Sequence, residues 1–283
     1  MCSHGSSFGW VRRRLDTELV RRGLVSSRTL AVAEIDAGRV VVSGAPATKP
    51  ATLVAPDQSI AVLGPPPRFV GRGGEKLDAA LEHLEVDVAG CRALDAGAST
   101  GGFTDCLLQR GAASVVAVDV GYGQLHERLR ADPRVLLRER TDIRSVHVSD
   151  IGGAVDVVVA DVSFISLRTV LPSLLSLAVP GAARGVLVKP QFEAGRQVVS
   201  KGRGVVRDPQ AWRQVLERVR DSAQAGGATI MGAMVSPLTG ADGNVEFLLH
   251  LLAPGHASAA VGHAATAVDL EDLVAAAVEL HQP

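Results

Sequence analysis

Four ionisable residues stand where an α/β chain would place its chemistry. Asp161 ends the apolar run Val157-Val158-Val159-Ala160, and Lys189 ends Val186-Leu187-Val188. Glu246 interrupts the apolar run Val245-Glu246-Phe247-Leu248-Leu249, and Lys76 begins a helix opened by Arg72-Gly73-Gly74. Ligands of open α/β sheets bind outside the carboxyl ends of the strands, so Asp161 and Lys189 should face one crevice. A carboxylate within an apolar strand is costly unless paired, and a lysine is the obvious partner. A lysine withdrawn from water among carboxylates can act as a base toward a poorly acidic hydroxyl, its proton affinity set by burial against neighbouring charge. The sequence does not give the direction of that balance. Taken singly, a Lys or Asp at a strand end is ordinarily a solvated or structural charge; the order Lys, Asp, Lys, Glu at these positions is what argues for a site.

A second segment offers a ligand cradle. Leu94-Asp95-Ala96-Gly97-Ala98-Ser99-Thr100-Gly101-Gly102-Phe103 follows an apolar strand and opens a helix, so backbone N–H groups and the positive helix end point at whatever binds there. Gly97, Ser99, Thr100, Gly101, Gly102 and Phe103 are its candidate contacts. Asp119 ends the next strand, Val115–Val118, where an acid can accept hydrogen bonds from a ribose diol. The turn departs from the dinucleotide pattern G-x-G-x-x-G, because Ala98 and Ser99 follow Gly97. Asp95 decides between ligands: beside a pyrophosphate it would be repelled, whereas S-adenosylmethionine carries an ammonium and a cationic sulfur. Asp142, in Thr141-Asp142-Ile143-Arg144, can reach an adenine amino group or simply cap a turn.

The elements that must hold these residues follow from periodicity. After the helix Glu75–Leu84 the chain alternates strand and helix: Arg92–Asp95, a helix over 102–110, Ser114–Val118, a helix over 124–130, Val155–Ala160, a helix over 167–177, Gly185–Val188, a helix over 209–225, Thr229–Val235 and Val245–Leu251. Such alternation predicts a Rossmann-like, doubly wound, mostly parallel sheet. Ahead of it, a helix from near Arg13, with Leu15, Leu19 and Val20 inward, closes at Gly23; a second, Arg28–Ala37, is capped by Ser26 or Ser27 and closes at Gly38. Short strands near 40–42, 52–54 and 59–63 complete a small α+β domain. The stiff Pro65-Pro66-Pro67 marks a boundary. The expected organisation is 13–64, a linker 65–71, a main domain 72–253, and an extension 254–283 made of an Ala/Gly/His-rich linker and a last helix from Asp269 to Leu280.

Composition narrows the class. The chain has 283 residues, 47% hydrophobic but only 3% aromatic, so its core must be aliphatic, as buried parallel strands require. Cys2, Cys91 and Cys106 follow no metal or disulfide spacing and read as packing residues in a reducing compartment. No segment has the length and apolarity to cross a bilayer, so a cytoplasmic protein is expected. The net charge of −1 is uneven: residues 1–64 hold eight Lys/Arg and five Asp/Glu, +3, leaving −4 for the rest. Basic charge gathered at one end suits contact with nucleic acid.

These motifs together resemble the TlyA-type methyltransferases of ribosomal RNA, historically labelled haemolysins, whose catalytic domain is of the FtsJ type. The carrying segments are Arg14-Leu15-Asp16 with Ser27-Arg28, Arg72–Leu77, Asp95–Thr104, Asp161–Leu167 and Lys189–Glu193. The resemblance covers about Arg13 to Leu251. It implies S-adenosyl-L-methionine as cofactor and 2′-O-methylation of ribose, with cytidine the expected nucleotide. It implies that Lys76, Asp161, Lys189 and Glu246 form a tetrad in which Lys189 is the base. It also implies that residues 13–64 bind ribosomal RNA like the fourth small-subunit ribosomal protein, with Arg14 and Arg28 meeting phosphate. The segment 191–207, holding Arg196, Lys201, Arg203 and Arg207 against Glu193, is either a further RNA contact or a solvated loop.

Three other readings compete. A nicotinamide-dependent oxidoreductase would need the dinucleotide glycines and leaves the basic N-terminal domain unexplained. A pseudouridine synthase can carry that domain but has no use for the Asp95–Thr104 turn. A ribosome-binding or membrane-active protein that kept the fold without methyl transfer has no need of all four ionisable positions. No ligand cluster suggests a metal, and no protein partner is evident.

Overall fold

The computed structural model describes residues 12–25, 27–64, 67–240, 242–252 and 268–281. Two compact units, residues 1–68 and 69–283, divide the chain. Residues 1–11, Pro65 and Pro66 of the linker, and the Ala/Gly/His-rich stretch lie outside the described residues.

In the smaller unit, β1 (Arg13–Arg14) pairs antiparallel with β4 (Leu53–Val54), while β2 (Val40–Val42) lies between β3 (Ala45–Pro46) and β5 (Ile60–Val62). Helices α1 (Leu15–Arg21) and α2 (Arg28–Asp36) pack on each other. Ser27 caps α2, its hydroxyl accepting from Leu30 N at 3.2 Å. Leu15, Leu19, Ala31, Ile35, Val40 and Val54 form a small core.

The larger unit begins with α3 (Gly73–His83) and β6 (Arg92–Ala96), followed by α4 (Gly102–Gln109), β7 (Ser114–Val118), α5 (Glu127–Arg130), β8 (Val135–Arg138) and β9 (Val155–Ala160). Then come α6 (Leu167–Ser176), β10 (Ala178–Val188), α7 (Pro190–Glu193), α8 (Arg196–Lys201), α9 (Pro209–Ala225), β11 (Thr229–Val235), β12 (Phe247–Leu252) and α10 (Leu270–Leu280). The sheet order is β11-β12-β10-β9-β6-β7-β8, and β12 alone runs against its neighbours. The order reverses between β6 and β9, the place where such sheets open a crevice. β6, β7, β9 and β10 are buried on both faces, which explains their nearly unbroken Val/Leu/Ala runs.

Several elements differ from the sequence reading. β8 was not expected: Val135-Leu136-Leu137-Arg138 is an edge strand of four residues that is only half-covered, so it lacks the apolar run of its neighbours. The region 190–201 contains two short helices where a loop was expected; Pro190 starts the first with its preset φ. β10 begins at Ala178, not Gly185, and β12 begins at Phe247, so Glu246 stands before the strand and not within it. The last helix has a clear purpose: Leu270, Leu273, Val274 and Ala277 join the main core, and α10 packs on α9 and β11.

Candidate active site

The sheet collects the charged residues at one end. Asp95 is the second-last residue of β6; Asp119, Asp161 and Lys189 directly follow β7, β9 and β10. Because β12 is antiparallel, with Phe247 opposite Val188, its entry residue Glu246 arrives at the end where Lys189 leaves β10.

The four residues of the expected tetrad form two pairs. Lys189 Nζ is in ion-pair contact with Asp161 Oδ1 and donates to Ser163 Oγ at 2.9 Å. Lys76 Nζ donates to Glu246 Oε2 at 2.5 Å, and both residues are buried. The α3 helix brings Lys76 there by packing on the sheet: Ala80 meets Leu187 and Leu248 in one apolar cluster. Losing one partner of such a buried pair typically costs about 3–5 kcal/mol.

Beside the Lys189–Asp161 pair opens a cleft of about 540 Å³, lined by Gly97, Ser99, Asp119, Asp142, Asp161 and Phe164 among others. That size suits a nucleoside-sized ligand. Gly97 has φ +88°, and a Cβ there would run into the Asp161 carbonyl oxygen, so only glycine lets the β6 turn and the β9 end close on one another. Asp119 Oδ2 accepts from Ser99 N at 2.8 Å and Oδ1 from Gly121 N at 2.6 Å, which fixes the carboxylate at the cleft wall. Asp95 is fully buried; Oδ2 accepts from Thr104 Oγ1 at 2.7 Å, while Oδ1 has no partner. Burial pushes its pKa up to about 7, with the Thr104 bond opposing and the charge of Asp161 adding to the rise. Asp95 is not among the residues lining the cleft, but a buried carboxylate oxygen without a partner is of the type that fits a cationic group.

Not every residue of the glycine turn reaches the cleft. Gly101 and Gly102 serve close packing: a Cβ on Gly101 would strike Leu125 and Leu129, and one on Gly102 would press on the backbone of Gly71–Gly74 where α3 and α4 start. Phe103 is a core residue whose ring lies against Gly73, and the Thr100 hydroxyl sits against Gly71. Asp142 lines the cleft and also caps: its carboxylate accepts from Arg144 N at 2.9 Å and pairs with the Arg144 guanidinium.

Sequence reasoning missed four residues here. Ser163 anchors Lys189. Phe164 is 92% exposed at the cleft rim, held at φ +65° with its ring 5.3 Å from that of Phe192. Glu193, by sequence an acid of a basic loop, is buried and holds the N-terminus of α6, accepting from Leu167 N at 2.5 Å and Ser166 Oγ at 2.6 Å. It thereby ties the segment after Lys189 to the segment after Asp161. Asn244 is also buried and bonds the 204–206 turn. The available signal was a polar or aromatic residue interrupting a motif next to an apolar strand, as in Asp161-Val162-Ser163-Phe164.

In the smaller unit, Arg14 and Arg28 converge on the buried Asp16, at 2.8 and 3.0 Å. The Arg14 hydrogen bond holds the Asp16 carboxyl well below the usual carboxylate range. The arginines are about half exposed and keep a net positive charge as a trio. Cys106 is buried and Cys91 half-buried. Among the described residues there is no group of metal ligands, and no helix is long and apolar enough to cross a membrane.

Comparison with known proteins gives two family matches: FtsJ-like methyltransferase over residues 69–252 and S4 domain over residues 13–60. A Mycobacterium tuberculosis protein, the 16S/23S rRNA (cytidine-2′-O)-methyltransferase TlyA, is 53% identical over 241 residues, covering 85% of this chain and 90% of its own. Hemolysin A of Brachyspira hyodysenteriae is 37% identical over 240 residues, 84% of this chain and 99% of its own. A solved structure from Streptococcus thermophilus, described as a candidate hemolysin, has a TM-score of 0.74 at 37% identity and covers 95% of this chain and 96% of its own.

Proposed function

The chain belongs to the FtsJ-like methyltransferases of the TlyA type, and we propose that it transfers a methyl group from S-adenosyl-L-methionine to the ribose 2′-hydroxyl of cytidine in ribosomal RNA. The observation that carries this reading is Lys189 Nζ held by Asp161 and Ser163 at the edge of the nucleoside-sized cleft.

When bound, the cofactor supplies a methyl group on a cationic sulfur. Asp119 suits its ribose diol, the partnerless oxygen of Asp95 suits a cationic group of its methionyl end, and Gly97 and Ser99 shape the turn beneath it. The chain's own residues then prepare the nucleophile. Asp161 in ion-pair contact and Ser163 accepting a hydrogen bond hold Lys189 Nζ in place beside the cleft, where a 2′-hydroxyl can approach it. Acting as a base requires the neutral amine: having given up one proton to solvent, Lys189 Nζ would take the hydroxyl proton while the bound cofactor supplies the methyl group. Orientation is the larger part of such catalysis, and base assistance adds about 10²–10⁴-fold. Lys76 and Glu246 neutralise one another beside Lys189 and fix the β10–β12 end. Phe164 presents an aromatic face at the rim on which a nucleobase can stack.

Residues 13–64 supply RNA affinity in this reading, with Arg14 and Arg28 as phosphate contacts oriented by Asp16; residues 65–71 link them to the catalytic domain 72–253, and 254–283 extend it. The place of action is the cytoplasm, where ribosomal subunits are found. The test is transfer of labelled methyl from the cofactor to purified ribosomal subunits. Label in a linkage resistant to alkaline cleavage is expected; cofactor binding without transfer to any rRNA would favour a binding protein instead.

A further inference from the structure

Exposed arginines in this protein are mostly spoken for. Arg110, Arg128, Arg130, Arg134, Arg144, Arg168, Arg213 and Arg220 of the larger unit all form ion pairs with carboxylates. Lys201, Arg203 and Arg207 do not: all three are exposed, and none forms an ion pair among the described residues. The acid next in sequence, Asp208, is engaged as the cap of α9, accepting from Gln210 N at 3.0 Å.

The turn that carries these cations is built, not loose. Val205 and Val206 are buried. Val206 O accepts from Trp212 Nε1 at 2.8 Å, and Val205 N donates to Gly202 O at 3.0 Å. Asn244 clamps the turn from the other side: its Oδ1 accepts from Val206 N at 2.9 Å and its Nδ2 donates to Gly204 O at 3.0 Å. Arg203 is held in the left-handed region at φ +53°, a conformation an arginine adopts only when its surroundings impose it. Asn244 stands two residues before Glu246, so the turn is fixed to the end of the sheet that carries the tetrad.

We propose that the 201–207 turn is a phosphate-binding site for the RNA strand entering the active site, with Lys201, Arg203 and Arg207 as its cations and Asn244 as the residue that positions it. Rigid cations beside Glu246 hold a strand in register with the target ribose, a task separate from the affinity of the N-terminal domain. Asp208 and the exposed Asp242 reduce the local charge to +1 and disfavour strong non-specific binding. This inference rests on the RNA methyl-transfer reading.

The test is binding of full-length protein to protein-free ribosomal RNA over a range of salt, with methyl transfer measured in parallel. The variant combines Lys201→Gln, Arg203→Asn and Arg207→Gln; asparagine tolerates the left-handed backbone. Loss of three phosphate contacts should make the dependence of log Kd on log salt shallower by about 2 and weaken binding at low salt roughly tenfold or more. KM for RNA should rise with kcat and cofactor affinity nearly unchanged. Neutralising the paired Arg134 and Arg220 instead should leave the slope alone. Asn244→Ala, which removes no charge, should raise KM for RNA as well; an unchanged KM would remove Asn244 from the site. Unchanged slope and Kd in the triple variant would overturn the proposal, whereas wild-type protein that binds RNA but transfers no methyl would overturn the underlying reading.

Discussion

Replacing Asp95 by asparagine should make the cofactor-free protein more stable and the cofactor-binding site worse. The carboxyl is fully buried, one oxygen has no partner, and burial holds its pKa near 7 against an ordinary 3.8. A folded-state value raised in this way contributes stability below about pH 4 that is lost as pH rises through 7. Each step of one on the pH scale is worth 1.36 kcal/mol, so ionised Asp95 costs the fold about 4 kcal/mol above pH 8. Asparagine keeps the Thr104 bond but puts an N–H group where the partnerless oxygen was, at about 2 kcal/mol. The net gain is about 2 kcal/mol, roughly 4–8 °C in Tm for a chain of this size. Near pH 5, where Asp95 is already protonated in the folded protein, the gain should vanish. The same change removes a charge-assisted partner for the ligand's cationic group, so S-adenosylmethionine affinity should fall roughly 10–100-fold. Thermal unfolding at pH 5 and 8.5 together with calorimetric titration of the cofactor would check both halves. A variant less stable than wild type at both pH values would mean that Asp95 is not a strained buried charge, and unchanged cofactor affinity would mean that it does not meet the ligand's cationic group.

Other consequences are equally direct. Lys189→Ala should lower methyl transfer at least about hundredfold while cofactor and RNA affinity stay near wild type, measured by single-turnover transfer beside binding titrations. Glu246→Leu, which strands Lys76 in the interior, should cost about 3–5 kcal/mol in denaturant unfolding; adding Lys76→Met should restore most of the loss, although neither protein should transfer methyl. Phe164→Ala touches no core contact of the fold, so Tm should hold while rRNA methylation falls by the roughly 1–3 kcal/mol that base stacking supplies, read as kcat/KM.

Which of these residues could be seen in the sequence depends on how local their signals are. Asp119, Asp161 and Lys189 were legible because a charge directly after an apolar run marks a strand end; Asp95, which lies inside β6, was legible only from the glycine turn that follows it. Glu246 was legible as an anomaly, and its need for a lysine followed from desolvation alone; its true place before β12 was not, because Val245 continues the apolar pattern. Thr100–Phe103 shows the opposite failure. Gly101 and Gly102 have the types a ligand turn requires, but helix packing requires them too, and only the neighbours Leu125, Leu129 and Gly71–Gly74 reveal which demand is met by the missing side chains. Glu193 and Asn244 were invisible as anchors because their partners, Leu167 N and the 204–206 turn, lie 26 to 40 positions away. For Arg14 and Arg28 the basic face was plain, but Asp16 as the carboxylate joining them was not.

The central claim is that the acceptor is a ribose hydroxyl presented to Lys189. The most direct measurement is complete nuclease digestion of ribosomal RNA methylated by the purified protein, followed by mass spectrometric fragmentation of the labelled nucleoside. Cytidine with the methyl group on the sugar fragment is expected; a methyl group on the base fragment would mean that the ribose hydroxyl is not the acceptor.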